Sequence, residues 1–411
     1  MADRHKAAIL AAEARIMGGI EIRQLRTRGE MRAFHLLPWQ IYRDDPLWVP
    51  PLLPERMKIT DPRRGLFFRR GEAVFFGAFR DGLLAGTICA AQDDEQIATI
   101  GRRECVFGFF ESVNDQATAD ALFDAAEAWG RRQGLDSLYG PFNLDYEDGY
   151  GLLTHGRDRK PVVFCGHSPE YYVGLIQAAG FTPARPGNIA LAVGLNAADL
   201  NGSSVRLDRI TRAADRVRTR NRFRIRGADV AHWRDEARRV HYLLNHSLDQ
   251  TGEEPLPWPM EAVESLIRPV LRLADPDLVL FADRNDGPPD APAAPGGVSI
   301  AWFAGIPNAH EITERLHGLR YPWHYPIIPF AMRRRPQCLA VKSLLVLPQY
   351  HASGVAALLF DEMARRARRK GYSWVDLSLT SEGNPQTPVI AERAGAVQYK
   401  RYQVYRRAIA R

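Results

Sequence analysis

The chain has 411 residues, of which 45% are hydrophobic and 25% are charged, as in ordinary soluble proteins of one or two domains. Its four cysteines, Cys89, Cys105, Cys165 and Cys338, show no CxxC spacing, which argues against a zinc site or a disulfide framework. No apolar stretch reaches the length of a membrane span, and no signal peptide is recognised. We therefore expect a cytoplasmic protein with a sizeable core and no metal.

Much of the net charge of +7 comes from arginines in residues 206–226. Basic runs of this kind are typical of segments that bind nucleic acid, anionic lipid or another anionic ligand. Here Asp208 and Asp215 interrupt the run and stacking aromatic residues are lacking, which favours a solvated connecting helix. We expect no nucleic-acid partner, and the sequence does not indicate an oligomeric state.

The pattern of apolar residues over 7–17 predicts a short amphipathic helix within an N-terminal segment, residues 1–19. From residue 20 the same series of elements occurs twice. The first copy predicts a strand and helix over 20–34, a hairpin over 73–89 that turns at Arg80-Asp81-Gly82, a strand over 106–111, a helix over 117–134, a strand over 138–142, and a helix that ends at Ala179-Gly180. The N-terminal helix is expected to dock on the protein rather than to enter a membrane.

The second copy repeats this order with an insertion after its hairpin. It predicts a strand and helix over 223–237, a hairpin over 278–303, a strand over 343–347, a helix over 356–371, a strand over 374–379, and a helix that ends at Ala394-Gly395. Two copies of this series indicate two α/β (α+β) domains of the same fold, each a mixed central sheet flanked by helices. We place these domains at 20–197 and 198–411, with an inserted aromatic loop around 304–338.

A short loop between a strand and a helix is the clearest candidate binding site. The strand over 343–347 ends at Pro348, and small residues with one glycine, His351-Ala352-Ser353-Gly354-Val355-Ala356, lead into the helix. A helix N-terminus carries about half a positive charge and up to four unpaired N–H groups, which suits a diphosphate. An ordinary strand–turn–helix connection has the same pattern. The first copy has no glycine at this place, and Glu111, Asp115 and Asp120 would repel a diphosphate.

This order of elements, with the motif P-x-Y-x-x-x-G-x-A and then Asn384 before a helix that ends at Gly395, resembles the GNAT superfamily of acyl-CoA-dependent N-acyltransferases. The resemblance implies that residues 351–356 bind the coenzyme A diphosphate, with His351, Gly354 and Ala356 at the three motif positions. It also implies that Leu345, Val346 and Leu347 pair with the pantetheine amides and that Asn384 belongs to the coenzyme A site. His351 departs from the usual Arg or Gln.

Longer blocks resemble a narrower group, the tandem GNAT proteins that include the YghO-type proteins and the bacterial ceramide synthases. These blocks are residues 45–52, 107–111, 140–143, 149–153 and 169–172. The resemblance implies acyl-CoA as a co-substrate rather than a permanently bound cofactor. It also implies transfer of an acyl group, favoured as long-chain, to an amine such as a sphingoid base.

Acylation of an amine needs a base for the amine and a proton for the departing thiolate. Glu147 and Glu382 lie beside equivalent strand ends in the two copies and are our candidate bases, although solvated loop carboxylates have the same pattern. The tyrosine that serves many GNAT enzymes as acid would fall at Ala391. Tyr402 and Tyr405 in the last strand are the candidate replacements, with Tyr399 and release of the thiolate to solvent as alternatives. Two histidines, His167 and His351, are further candidate bases.

The inserted segment is rich in aromatic residues and prolines over 316–332 and has no helical period. An acyl-chain tunnel, a membrane-contacting lid and a buried structural loop all need such a composition. With the basic run, it permits peripheral contact with an anionic inner membrane, where a lipid amine is found. Three other functions remain open: acetylation of a small amine, aminoacyl-tRNA-dependent transfer, and acyl-CoA binding without catalysis.

Overall fold

A computed structural model describes residues 15–17, 19–144, 150–195, 207–219, 223–247, 257–270, 275–384, 387–393 and 395–410. The strands are β1 (Arg15–Met17), β2 (Ile20–Gln24), β3 (Gly71–Arg80), β4 (Leu83–Asp93), β5 (Glu104–Ser112), β6 (Ser137–Gly140), β7 (Leu152–His155), β8 (Thr182–Pro183), β9 (Asn188–Gly194), β10 (Arg224–Gly227), β11 (Val279–Arg284), β12 (Ala293–Ala294), β13 (Gly297–Pro307), β14 (Cys338–Val346), β15 (Trp374–Ser381), β16 (Val397–Gln403) and β17 (Tyr405–Ala408).

The helices within these described ranges are α1 (Arg28–Leu36), α2 (Pro38–Ile41), α3 (Leu53–Ile59), α4 (Asp94–Ile100), α5 (Gln116–Arg132), α6 (Tyr171–Ala178), α7 (Leu207–Thr219), α8 (Trp233–Ser247), α9 (Met260–Val270), α10 (His310–Thr313), α11 (Ile328–Ala331), α12 (Val355–Arg369) and α13 (Thr387–Arg393). Short 3-10 helices lie at Phe67–Arg69, Val230–His232, Pro276–Leu278, Glu314–Leu319, Pro322–Ile327 and Pro348–Ser353. Within the described part of the chain, no helix has the length and apolar character needed to cross a membrane.

The chain forms two compact units, and the first contains residues 1–188, 313–332 and 400–411. Its sheet has the strand order β1-β2-β3-β4-β5-β6-β17-β8. Helix α5 packs on this sheet with buried Leu122, Phe123 and Trp129, and α6 adds Tyr172 and Ile176 to the same core. The layered α/β architecture predicted for the first copy is therefore observed.

The second unit contains residues 189–312 and 333–399. Its sheet has the order β10-β11-β13-β14-β15-β9, with the short β12 paired to β13. Side chains of α8, α9 and α12 contribute to a core around Phe281, Ile300 and Leu345. The fold class predicted for both copies is confirmed.

The predicted domain bounds of 20–197 and 198–411 differ from the compact units because the last strand of each copy belongs to the other unit. Strand β9 follows the first copy in the chain but lies beside β15 in the second sheet. Strand β17 ends the chain and pairs antiparallel with β6 in the first sheet, where Arg406 lies opposite Tyr139. The boundary predicted between residues 197 and 198 lies outside the described residues.

The N-terminal helix predicted over 7–17 is wrong at its described end. Arg15–Met17 form strand β1, paired antiparallel with β2, and Gly19 adopts a φ of 82° in the turn between them. Residues 1–14 lie outside the described part. The hairpin predicted at Arg80-Asp81-Gly82 is confirmed, with φ values of 51° at Asp81 and 77° at Gly82 that suit a tight turn between twisted strands.

Candidate functional site

The predicted diphosphate loop begins where β14 ends. Pro348–Ser353 form a 3-10 turn, Gly354 adopts a φ of 82°, and α12 starts at Val355. The first N–H groups of an α-helix have no acceptors within the helix. Here Val355 N–H donates to Ser353 Oγ at 3.3 Å. Ala352 is exposed, and Gly354 and Ala356 are half-buried. A helix N-terminus can bind an anion, and the diphosphate contact stays a prediction.

Gly354 is required here for two physical reasons. Its positive φ is unfavourable for residues with a side chain, and an added Cβ would lie 2.6 Å from Val217 Cγ2. Val217 belongs to α7, which packs on α12 through Ala214, Val217 and Leu358. Residues 207–219 of the basic run thus form a helix with one packed face rather than a fully solvated connection, and Arg224 and Arg226 lie in β10. Arg218 donates to the buried Asp361 at 2.5 Å.

His351, at the first position of the predicted motif, contacts the end of its own strand. Its Nε2 lies 2.9 Å from Val346 O, and because a carbonyl only accepts, Nε2 carries the proton. The imidazole therefore stabilises the turn, and its contact with coenzyme A stays a prediction. An Arg or Gln side chain at this position has more hydrogen-bond donors than the His351 ring.

Strands β14 and β15 separate as the predicted site requires. Among the described residues, ladder pairs join Cys338–Ala340 to Trp374–Asp376 and do not continue beyond them. Leu347 N–H donates to Ile300 O at 3.0 Å, toward β13. Since backbone groups alternate between the two edges of a strand, Val346 directs its N–H and C=O to the opposite edge, where β15 diverges.

The prediction that Leu345 to Leu347 all offer free backbone groups is therefore wrong for Leu347. Leu345 lies opposite Trp302 in the β13 ladder and shares the direction of Leu347. Of the three residues, Val346 alone presents its backbone to the gap, and its C=O already accepts from His351. A pantetheine amide at this edge would meet the Val346 N–H.

Of the two carboxylates predicted as bases, the structure describes only Glu382. Glu382 is exposed in the turn after β15, where Asn384 N–H donates to Ser381 O at 3.0 Å. Glu147 lies outside the described residues. Ala391 is fully buried in the second core, so this position supplies packing and no acid.

Tyr402 and Tyr405, predicted as proton donors, are both buried within the first unit. Tyr402 donates its hydroxyl proton to Gly166 O at 3.0 Å, and Tyr405 lies in the hydrophobic core, where burial raises the pKa of its phenol. Tyr399 donates to the buried Asp376 at 2.6 Å. These contacts argue for structural roles. The alternation of side chains along a strand predicts the face on which each tyrosine lies, but not which residues pack against that face.

Lys400, a buried amine that the sequence did not suggest, lies in the same stretch of the first unit. It donates to Arg159 O at 2.7 Å and also to Gly156 O. Burial lowers its pKa to about 8. Its carbonyl partners hold the connection after β7, and we assign it a structural role.

The first unit has its own divergent strands, but polypeptide fills the gap. Pairs between β5 and β6 cover Glu104–Val106 and Ser137–Tyr139. Beyond them Phe142 N–H donates to Phe107 O at 2.8 Å, and Asn143 Oδ1 accepts from Phe109 N–H at 2.7 Å. A Cβ on Gly108 would lie 1.6 Å from Phe142 O, so the blocks over 107–111 and 140–143 fit together only with glycine there.

The helix N-terminus of the first unit is also occupied. Asp115 caps α5 by accepting from Thr118 N–H at 3.0 Å and from Thr118 Oγ1 at 2.6 Å. A carboxylate already sits where a diphosphate would bind, and two negative groups would repel each other. The occupied gap between β5 and β6 and the Asp115 cap on α5 together explain physically why only the second copy is a candidate for coenzyme A.

A cluster of polar groups that the sequence did not predict surrounds Glu111 in the first unit. Tyr172 donates to Glu111 Oε2 at 2.7 Å and itself accepts from Ser112 N–H at 2.9 Å. Burial raises the pKa of Glu111 to about 7, although the Tyr172 and Tyr42 phenols and the charge of Arg56 act in the opposite direction. A glutamate within an apolar strand run was the available signal for this cluster.

A second pair lies beside this cluster. His167 Nε2 lies 2.7 Å from Asp45 Oδ2, and Tyr42 donates to His167 O at 3.3 Å. Burial lowers the pKa of His167 against the opposing effect of Asp45. Because a carboxylate oxygen accepts, Nε2–H is the donor in this contact. His167, a candidate base, thus has its protonated nitrogen committed to Asp45.

The inserted segment folds onto the first unit over residues 313–332, which we call the aromatic segment. Leu316, His324 and Ala331 are buried, and a Cβ on Gly318 would lie 2.3 Å from the Trp39 ring. Lys160 and Glu314 form an ion pair at 2.6 Å. These contacts anchor the segment at several points along its length.

The outer side of the aromatic segment is apolar. Trp323 is 66% exposed and Phe330 is 69% exposed, and the Tyr321 and Trp323 rings stack at 4.6 Å. The exposed large hydrophobic residues of the segment are Tyr321, Trp323, Tyr325, Phe330 and Met332. Arg315 is exposed beside them, and residues 333–335 are three successive arginines.

No family model matches the chain. It is 27% identical over 393 residues to a bacterial ceramide synthase from Caulobacter vibrioides, which covers 94% of this chain and 96% of that protein. It is 25% identical over 394 residues to protein YghO from Escherichia coli, covering 94% of this chain and 95% of that one.

Solved structures with the same fold cover nearly the whole chain. A tandem GNAT protein from the clavulanic acid biosynthesis pathway matches with a TM-score of 0.56 and 11% identity, over 95% of this chain and 99% of its own. A GCN5-related N-acetyltransferase from Sphaerobacter thermophilus matches with a TM-score of 0.52 and 14% identity, over 97% and 98%. The chain therefore has a tandem GNAT fold. The GNAT resemblance inferred from its residues is confirmed.

Proposed function

We propose that the protein is an N-acyltransferase that uses acyl-CoA and transfers a long-chain acyl group to the amine of a sphingoid-like lipid. The observation that carries the proposal lies at the end of β14. There Gly354 directly precedes the N-terminus of α12, and β14 has separated from β15. The helix end supplies N–H groups for a diphosphate, and the Val346 edge supplies a backbone donor for pantetheine. Residues 351–356 and Asn384 are the proposed coenzyme A contacts.

The acceptor is proposed from similarity rather than from a bound ligand. A relative that covers 94% of this chain is named a ceramide synthase, and the exposed face of the aromatic segment suits a lipid environment. Trp and Tyr side chains favour the boundary between water and lipid, because each has an apolar ring and a polar edge. Neighbouring arginines add attraction to anionic head groups. Peripheral contact with an anionic inner membrane is therefore part of the proposal.

The test is a substrate series with purified protein. Acetyl-, octanoyl- and palmitoyl-CoA are each combined with sphinganine and with a small water-soluble amine, and thiol release and N-acyl product are measured. Each buried methylene contributes about 0.8 kcal/mol, so kcat/KM with sphinganine is expected to rise steeply with acyl length. Equal rates for acetyl- and palmitoyl-CoA with the small amine would support a small-amine acetyltransferase instead. Binding of palmitoyl-CoA without turnover of any amine would support a non-catalytic binding protein.

A further inference from the structure

Glu111 is a carboxylate without an ion-pair partner among the described residues. It lies in the first unit, where polypeptide fills the gap between the divergent strands β5 and β6. It lies near the end of β5 and stays partly exposed, although its neighbourhood is densely packed. Tyr172 accepts from Ser112 N–H, so its own hydroxyl proton points to Glu111. Tyr171 donates to Ser112 O at 2.8 Å, which fixes the same backbone. Tyr172 is thus a donor that orients the Glu111 carboxylate, and Tyr171 fixes the backbone beside it.

Among the described residues, three phenols and one cation face Glu111. Tyr42, Tyr171 and Tyr172 are phenols whose pKa values burial raises, so they remain uncharged. Arg56 is the nearby cation and lies over the Phe109 ring at 5.6 Å from the ring centroid. Because burial opposes the ionised form, the pKa of Glu111 is about 7 instead of 4.5. A glutamine would make the same tyrosine contact without this penalty, so packing alone does not explain a glutamate.

Apolar aromatic residues lie next to this carboxylate. Tyr42 stacks on Trp48 with centroids 5.0 Å apart, and Trp39 meets Trp48 edge-on at 5.2 Å. Trp48 is itself half-buried. A ligand with one cationic end and one alkyl end would find a counter-ion and an apolar surface in the same place.

We propose that the first unit binds the amine acceptor, with Glu111 as the counter-ion of its ammonium group. The proposed function supplies the identity of the ligand, but the binding site itself lies in a unit without the coenzyme A loop. A cation at this place replaces the missing ion-pair partner and favours the ionised carboxylate. The role is recognition of the protonated acceptor, and no proton transfer is included.

The test is calorimetric titration of the full chain with n-octylamine and with n-octanol at pH 6 and pH 8. A group with a pKa of about 7 goes from about one-tenth to about nine-tenths ionised over this range, so octylamine is expected to bind about tenfold more tightly at pH 8. Octanol is expected to show no such change. Glu111→Gln keeps the Tyr172 hydrogen bond and is expected to weaken octylamine at least tenfold at pH 8 and to remove the pH dependence.

Two further variants complete the design. Glu72→Gln, at an exposed position of the same unit, is expected to titrate like wild type. Tyr172→Phe removes a donor from the carboxylate and is expected to move the pH dependence to higher pH. Equal octylamine binding by Glu111→Gln and wild type, with the same pH dependence, would overturn the proposal. Palmitoyl-CoA titration of the same samples separates the two ideas, because its failure would contradict the proposed function and leave the octylamine result unaffected.

Discussion

Replacing Glu111 by Gln should make the protein more stable at pH 8 and leave its stability nearly unchanged at pH 4. Burial raises the pKa of this carboxyl from 4.5 to about 7, a shift of about 2.5 units, which corresponds to roughly 3 kcal/mol. Below pH 4.5 both the folded and the unfolded state hold the proton, so no difference arises. As the pH rises to 7 the unfolded state loses its proton first, and the wild type loses stability relative to a glutamine that never ionises.

The assay is urea unfolding followed by tryptophan fluorescence, for wild type and Glu111→Gln, at half-unit steps from pH 4 to pH 8.5. The difference in the free energy of unfolding is expected to grow with pH and to level off above about pH 7. Tyr172→Phe, which removes a hydrogen bond that favours the ionised form, is expected to lose stability more steeply over this range. Parallel curves for wild type and Glu111→Gln would refute the reasoning, because they would mean that Glu111 ionises normally in the folded chain.

Three other changes test separate parts of the structure. Gly354→Ala combines a positive φ with a Cβ 2.6 Å from Val217, so we expect a loss of about 1–3 kcal/mol in thermal unfolding, partly recovered by adding Val217→Ala; full stability of the single variant would contradict this packing. Trp323→Ala with Phe330→Ala should reduce flotation with phosphatidylglycerol vesicles several-fold and leave the melting temperature unchanged, because both side chains are exposed; unchanged flotation would remove the aromatic segment from membrane contact. Tyr399→Phe leaves the buried Asp376 without its 2.6 Å donor and should cost roughly 1–3 kcal/mol of stability with little change in kcat, whereas a large loss of kcat in a stable variant would make Tyr399 the acid.

Features fixed by a few neighbouring residues could be predicted from the sequence. The Asp81-Gly82 hairpin and the glycine before α12 follow from backbone preferences that act within a turn. The exchange of β9 and β17 between the sheets could not be predicted, because strands of either sheet show similar apolar runs. Pairing partners far apart in the chain decide where such strands belong.

The same distinction between local and long-range features applies to the candidate site. The loop over 351–356 can be predicted as a candidate site from the sequence, because its residue sizes and its place before a helix are local properties. The burial of Tyr402 and Tyr405 depends on long-range packing, which alternation along a strand does not show. The sequence indicates only that Glu111 is a charge that would repel a diphosphate. Its contact with Tyr172, 61 residues along the chain, depends on the fold.

The central claim, that the N-terminus of α12 binds the coenzyme A diphosphate, is tested most directly by calorimetric titration of Ala356→Glu and Ala356→Gln with coenzyme A and palmitoyl-CoA. Ala356 lies in the first turn of α12, where an acidic side chain stabilises a helix, so neither variant should unfold. The account predicts that the glutamine variant retains binding within a few-fold and that the glutamate variant loses at least tenfold for both ligands, because its charge repels the diphosphate. Equal affinities for the two variants and wild type would show that the diphosphate binds elsewhere and would contradict the account.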